Sequence, residues 1–225
     1  MLFRSSKYGL VVIDDFSRFT WVMFLRTKDK MRESLITLIT RIELEVNTQV
    51  KMIRSDRGTE FLNQGMKEFC EGKGIIHQTS AALSPQQNGV AERKNRTLKE
   101  AARALLAEST LSEGYWAEAI NTACYVQNRM LINKVQQKTP YELYFGRKPN
   151  VDYFHIFCCK CYVSNNGKEK LSTFQAKADE AIFLGYSNTS KAFKVLNLRT
   201  KKFEESCHVK FSETQADFKE HSVHP

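Results

Sequence analysis

Two short stretches of the chain hold the side chains best suited to chemistry. In Arg54-Ser55-Asp56-Arg57-Gly58-Thr59-Glu60-Phe61, a carboxylate follows an apolar, β-reading run (Val50, Met52, Ile53) and precedes a glycine, which places Asp56 at a strand tip. In Ser84-Pro85-Gln86-Gln87-Asn88-Gly89-Val90-Ala91-Glu92-Arg93-Lys94-Asn95-Arg96, Glu92 falls in the first turn of a helix. Thirty-five residues, 57 through 91, separate the two acids. Carboxylates converging from a strand tip and a helix repel one another unless a cation neutralises them. Hard oxygen donors with no nearby His or Cys favour Mg²⁺ or Mn²⁺ over zinc. At helical periodicity Glu92, Arg96, Lys99 and Arg103 project within roughly 60° of one another, while Leu98, Ala101, Ala102 and Leu105 face away. One carboxylate followed by three cations suits a metal beside a phosphate backbone. Taken alone, such a face is an ordinary solvated one with i,i+4 pairs such as Glu92 with Arg96. The Asp56 stretch and its spacing favour the chemical reading.

Elements on either side must position these residues. Tyr8 to Ile13 and Phe19 to Leu25 read as a β-hairpin around Asp14-Asp15-Phe16-Ser17-Arg18, with Asp14 and Asp15 as turn-capping residues. Asp29 to Val46 is an amphipathic helix with Leu35, Leu38, Ile39 and Ile42 inward, and Val50 to Ser55 is the strand that delivers Asp56. Gly58 allows close approach beside the acid. A short helix from Glu60 through Cys70, closed by Gly72 and Gly74, leads to a strand at Ile75 to Thr79 on which the lone His77 is structural. Ser80 to Gln87 is a polar connection, with Asn88 as a helix N-cap. Tyr115 to Met130 is a second long helix, with Trp116, Ala119, Ile120, Ala123 and Val126 in the core rather than forming a base-stacking platform.

A length of 225 residues is enough for one sizeable core and a small appendage, and no apolar run could span a membrane. The amino terminus lacks the pattern of a secretory signal. A net charge of +9 points to a polyanionic partner. The six cysteines (70, 124, 158, 159, 161 and 207) form no spaced framework, which indicates reduced thiols. Beyond Pro149 the chain turns to short strands at Phe154 to Val163, Glu180 to Tyr186, Ala192 to Asn197 and Lys202 to Val209, a small β-barrel or meander. His155, Cys158, Cys159 and Cys161 sit near one another, but adjacent cysteines suit tetrahedral zinc poorly, so they read as packing groups. The tail from Gln215 is polar.

The segments RSDRGTEF, SPQQNGVAERKNRTLKE, YWAEAINTACYVQNR and TPYELYFGRKP resemble the integrase of copia-type retrotransposons, from about Lys7 to about Ser212. That resemblance implies an α/β fold: a ribonuclease-H-like core over 1–149, an SH3-like β module over 150–212 and a disordered tail over 213–225. It also implies a D,D(35)E metal triad, in which Asp56 matches the second acid and Glu92 the third. The cofactor is then Mg²⁺ or Mn²⁺ and the partner is DNA, bound by a homo-oligomer in the nucleus or in a cytoplasmic particle before nuclear entry. The family's mobile loop before the catalytic helix touches DNA, which marks Gln87 and Asn88 beside Arg96, Lys99 and Arg103. Where the family usually has Asn after the second acid, this chain has Arg57. The added cation either weakens the metal or adds a phosphate contact, and both remain open.

Three functions follow: an integrase core performing 3′-end processing and strand transfer, a relic that binds nucleic acid without turnover, or a ribonuclease-H-like protein that uses its basic face for protein partners. Fold alone does not separate them. In the family the first acid lies upstream of Lys7-Tyr8, on a central strand that Met1 to Ser6 is too short to form, and the family's amino-terminal zinc module is not recognised either. The isolated chain is therefore expected to be catalytically silent, weakly stable and prone to aggregate, with a gap or unusual pairing between residues 8–13 and 50–55.

Overall fold

The turn after the first strand is closed by its own side chains. The Asp14 carboxylate accepts hydrogen bonds from the Ser17 backbone N–H (2.7 Å) and hydroxyl (2.6 Å), and Asp15 pairs with Arg18. Both acids are thus spent on the turn, and strands β1 (Tyr8–Ile13) and β2 (Thr20–Leu25) pair as a hairpin around it. A computed structural model describes residues 6–79, 89–109, 111–165 and 177–212. No helix among them is long and apolar enough to cross a membrane.

The described residues form two compact units. The first draws on residues 6–12 and on Trp21–Thr97; the second on Ile13–Thr20 and the described residues from Leu98 onward. In the first, helix α1 (Met31–Val46) buries Met31, Leu35 and Ile39 against Leu10 of β1, Leu25 of β2 and Met66 and Cys70 of helix α2 (Gln64–Lys73). Strand β3 (Met52–Ser55) runs parallel to β4 (Ile76–Thr79), in register from Met52 opposite Ile76 to Ser55 opposite Thr79. Ile53 packs on the same core as the hairpin, yet the described residues place β1–β2 and β3–β4 in separate two-stranded sheets. The interval between residues 8–13 and 50–55 therefore carries shared side-chain packing without a shared ladder.

Helix α2 starts later than the sequence suggests. Residues 58–62 are taken up by turns, in which the Phe61 and Leu62 N–H groups donate to the Gly58 carbonyl, and Asn63 caps the helix. Gly72 lies inside the helix, and Gly74 alone ends it, at φ 68°. Glu43 ties three elements together. Its carboxylate accepts from the Val50 N–H at 3.1 Å and pairs with Lys73 at the end of α2. These contacts, the Lys73 hydrogen bond foremost, hold the Glu43 carboxyl below its ordinary range.

In the second unit, helix α4 (Trp116–Met130) follows a 3-10 turn at Glu113–Tyr115 and is buried around much of its circumference, polar residues included. Asn128 acts as a substitute strand neighbour. Its Oδ1 accepts from the Thr20 N–H (3.0 Å), and its Nδ2 donates to the Thr20 carbonyl (2.8 Å). A short helix, α5 (Pro140–Phe145), begins with a Thr139–Glu142 capping box, and its Tyr144 stacks on Phe19 at 4.8 Å.

Strands β5 (Lys160–Ser164), β6 (Ala178–Tyr186), β7 (Phe193–Asn197), β8 (Phe203–Ser206) and β9 (Val209–Ser212) form an antiparallel sheet in the order β8-β7-β6-β5-β9. Two sequence expectations are corrected here. Residues 154–159 are not part of the first strand. They form turns, with Cys158 at φ 68° and its N–H on the Phe183 carbonyl. The expected strand Lys202 to Val209 breaks at Cys207-His208, which carries the chain from one sheet edge to the other. In a flat sheet those edges would lie about 19 Å apart, four strand spacings. So short a link spans only about 10 Å, so the sheet must roll up into a barrel. Cys161, Val163, Phe183 and Val195 fill its interior.

Where α4 crosses β6 the approach is close. Gly185 sits at φ 133°, a Cβ there would lie 2.2 Å from Thr122 Oγ1, and that hydroxyl donates to the Leu184 carbonyl at 2.9 Å. Gly185→Ala is expected to lower unfolding stability by about 1–3 kcal/mol in urea titration, through overpacking and a disfavoured φ. A second expectation concerns acid. A carboxylate with a depressed folded-state pKa stabilises the fold above its unfolded value, about 4.3 for Glu, and loses that stabilisation as pH falls through the folded value. Glu43→Gln is therefore expected to lower stability at pH 6, by an amount that shrinks as pH falls below the ordinary Glu range, read by urea unfolding across that range.

Candidate metal centre and nucleic-acid interface

Strand β3 ends where a buried residue meets an exposed one. Ser55 is buried and Asp56 is in solvent. The Gly58 N–H donates to Asp56 Oδ1 at 3.0 Å, an Asx turn that fixes the carboxylate against its own backbone. What lies beside Gly58 is the Glu60 carboxyl group, 2.7 Å from where a Cβ would sit. Asn63 fastens the far end of this loop, donating from Nδ2 to the Glu60 carbonyl (2.8 Å) and accepting from the Met66 N–H (2.9 Å). Arg57 is exposed next to Asp56.

Helix α3 (Gly89–Glu108) has two faces. Leu98 and Ala102 are buried, whereas Glu92, Arg96, Lys99 and Arg103 are all exposed. Ala102, with Leu105 and Leu106, packs against Leu111, Tyr115 and Ala119. Glu92 lies in the first turn and belongs to the same compact unit as Asp56. Gln87 and Asn88 lie outside the described residues. Among those described, no group of three or more His, Cys, Asp or Glu side chains is placed to hold a metal. The donors Asp56 and Glu92 offer are carboxylate oxygens, which suit Mg²⁺ or Mn²⁺.

The remaining titratable candidates are packing groups. His155 stacks on Phe211 with ring centroids 3.4 Å apart, and burial pushes the Cys161 thiol up to about 12. His77 has a partner the sequence did not suggest: its Nε2 lies 2.9 Å from the hydroxyl of Ser55, the residue before Asp56. The register explains the meeting, since β4 places His77 opposite Ile53, two residues from Ser55 on the adjacent strand.

Residues 2–85 match the integrase core domain family, a span that includes Asp56 and ends before Glu92, and residues 159–224 match the retroviral polymerase SH3-like domain. The chain is 34% identical over 209 residues to the retrovirus-related Pol polyprotein from transposon RE1 of Arabidopsis thaliana, covering 92% of this chain and 14% of that protein. It is 32% identical over 210 residues to that from transposon TNT 1-94 of Nicotiana tabacum, covering 93% of this chain and 16% of that protein. The chain thus spans a small part of these relatives' length. Among solved structures, the simian T-cell lymphotropic virus intasome in complex with PP2A regulatory subunit B56 gamma aligns with a TM-score of 0.51 at 17% identity, over 92% of this chain and 73% of that one. That likeness carries the fold: an integrase-type, ribonuclease-H-like core followed by a five-stranded SH3-like module.

The loop after Asp56 depends on Asn63. Asn63→Ala is expected to lower stability by about 1 kcal/mol, read by urea unfolding, because it removes the α2 cap together with the bond to Glu60.

Proposed function

We propose that this chain, which belongs to the integrases of copia-type retrotransposons, serves DNA integration by metal-dependent polynucleotidyl transfer, the trimming of element ends and their joining to target DNA. The observation that carries the reading is the exposed face of α3, on which Glu92 is followed by Arg96, Lys99 and Arg103 while Leu98 and Ala102 are buried. Asp56, at the tip of β3 in the same unit as Glu92, supplies the second carboxylate.

In this reading Asp56 and Glu92 hold Mg²⁺ or Mn²⁺. When bound, such an ion activates a water or a 3′-hydroxyl and stabilises the leaving oxygen. The chain's own residues do the rest. The Asx turn on Gly58 keeps the Asp56 carboxylate oriented, and the three cations of α3 neutralise phosphates without reading sequence. Exposed Lys201, Lys202 and Lys210 add positive charge on the SH3-like module. The division into a catalytic core over 1–149 and a module over 150–212, assembly as a homo-oligomer and work in the nucleus belong to the same proposal.

Binding and turnover are tested separately. Duplex DNA affinity is expected to fall steeply with salt, and replacing Arg96, Lys99 and Arg103 with Ala is expected to reduce the slope of log K against log salt by about 2–3. An unchanged slope places the DNA surface elsewhere. For turnover, strand-transfer product in Mn²⁺ that disappears in Asp56→Asn and Glu92→Gln assigns the reaction to this chain. DNA binding by folded protein without product assigns it a binding role alone.

A further inference from the structure

The end of β3 is held from inside by one short hydrogen-bond relay. The Ser55 hydroxyl has two partners in reach, the Asp56 carbonyl at 2.9 Å and His77 Nε2 at 2.9 Å. A hydroxyl carries a single hydrogen and accepts through its lone pairs. Both contacts are hydrogen bonds only if Ser55 donates to the Asp56 carbonyl and His77 donates to Ser55 from Nε2. We propose that His77 is a positioning residue for Asp56, acting through the Ser55 hydroxyl, with its hydrogen on Nε2.

Three features support the relay. Among the described residues the β3–β4 register runs to Ser55 opposite Thr79, and the Ser55 hydroxyl gives the Asp56 carbonyl, one residue further on, a donor. Ser55 is only 7% exposed, so its hydroxyl has little access to water and depends on these two partners. The carboxylate is bound on its other side by the Gly58 N–H, so the Asp56 backbone is held by Ser55 and the side chain by the turn. Among the described residues no donor reaches Oδ2, the oxygen left for a ligand.

A Ser–His pair also suggests a nucleophile and its base, but the geometry opposes that use. The hydroxyl hydrogen is directed to a carbonyl, Ser55 is buried, and no carboxylate among the described residues orients His77. The contact is one step removed from the ligand, the place where outer partners of metal ligands act, and losing such a partner typically lowers metal affinity 10–100-fold.

The inference rests on the reading of Asp56 as a metal ligand, and the experiment keeps the two apart. Mn²⁺ affinity of the full chain is measured by electron paramagnetic resonance for wild type, Asp56→Asn, Ser55→Ala, His77→Phe and His77→Gln, each checked for folding by circular dichroism. We expect about a tenfold loss in His77→Phe and in Ser55→Ala, no further loss when Ser55→Ala and His77→Phe are combined in one chain, and recovery to within about threefold in His77→Gln, which keeps a donor at the same reach. If Asp56→Asn weakens Mn²⁺ and His77→Phe does not, the relay is overturned while the metal reading stands. If Asp56→Asn leaves Mn²⁺ binding unchanged, the metal reading falls and this inference falls with it. A metal-free measurement on the unaltered chain keeps the relay falsifiable even if a variant fails to fold. The ¹⁵N spectrum of the His77 ring is expected to show hydrogen on Nε2. A neutral ring with hydrogen on Nδ1 alone overturns the proposal.

Discussion

A strand that ends in water must satisfy its last backbone groups without a neighbour, and the end of β3 shows how this chain does so. Ser55 is buried and Asp56, the next residue, is exposed. The Asp56 carbonyl accepts the Ser55 hydroxyl from within, and the Asp56 carboxylate accepts the Gly58 amide from without. A carboxylate anchored at both its backbone and one oxygen loses little freedom on binding a cation, which is what a ligand on a loop otherwise lacks. The turns over 58–62 and the Asn63 cap extend that order into α2, and α2 in turn fills the core shared by α1 and both ribbons.

The second unit meets the same demand by other means. The Asn128 amide serves the Thr20 backbone as a strand would, and Thr122 serves the Leu184 carbonyl beside a glycine that lets the helix come close. Thr122 and Asn128, polar residues buried in α4, are therefore structural, each matched to a backbone group of another element. The rolled sheet places its apolar residues inward, so exposed lysines such as Lys201, Lys202 and Lys210 remain on the outside.

Much of this was legible in the sequence because it is local. Apolar, β-branched runs on either side of a polar turn marked the hairpin, periodicity marked α1 and the two faces of α3, and the Asp14 turn followed from its composition. What was not legible depends on partners distant in sequence. Nothing near Asn128 or Thr122 announces Thr20 or Leu184, and an apolar helix pattern hid their roles. The break at Cys207-His208 has no proline or glycine to mark it; it is imposed by sheet closure. His77 and Ser55 were each visible, but only the parallel register of β3 with β4 brings them together. The short helix α5 is a different case, since its Thr139, Pro140 and Glu142 start signal is plain in the sequence.

The central claim is that Asp56 and Glu92 are ligands of one divalent ion. Paramagnetic broadening tests it most directly: Mn²⁺ is titrated at substoichiometric amounts into ¹⁵N-labelled chain, and the loss of each amide signal is followed. The account predicts that Asp56, Arg57, Gly58 and residues 91–93 broaden first and together, because the effect falls with the sixth power of distance from a single ion. Broadening that centres on either acid without the other, or on neither, contradicts it.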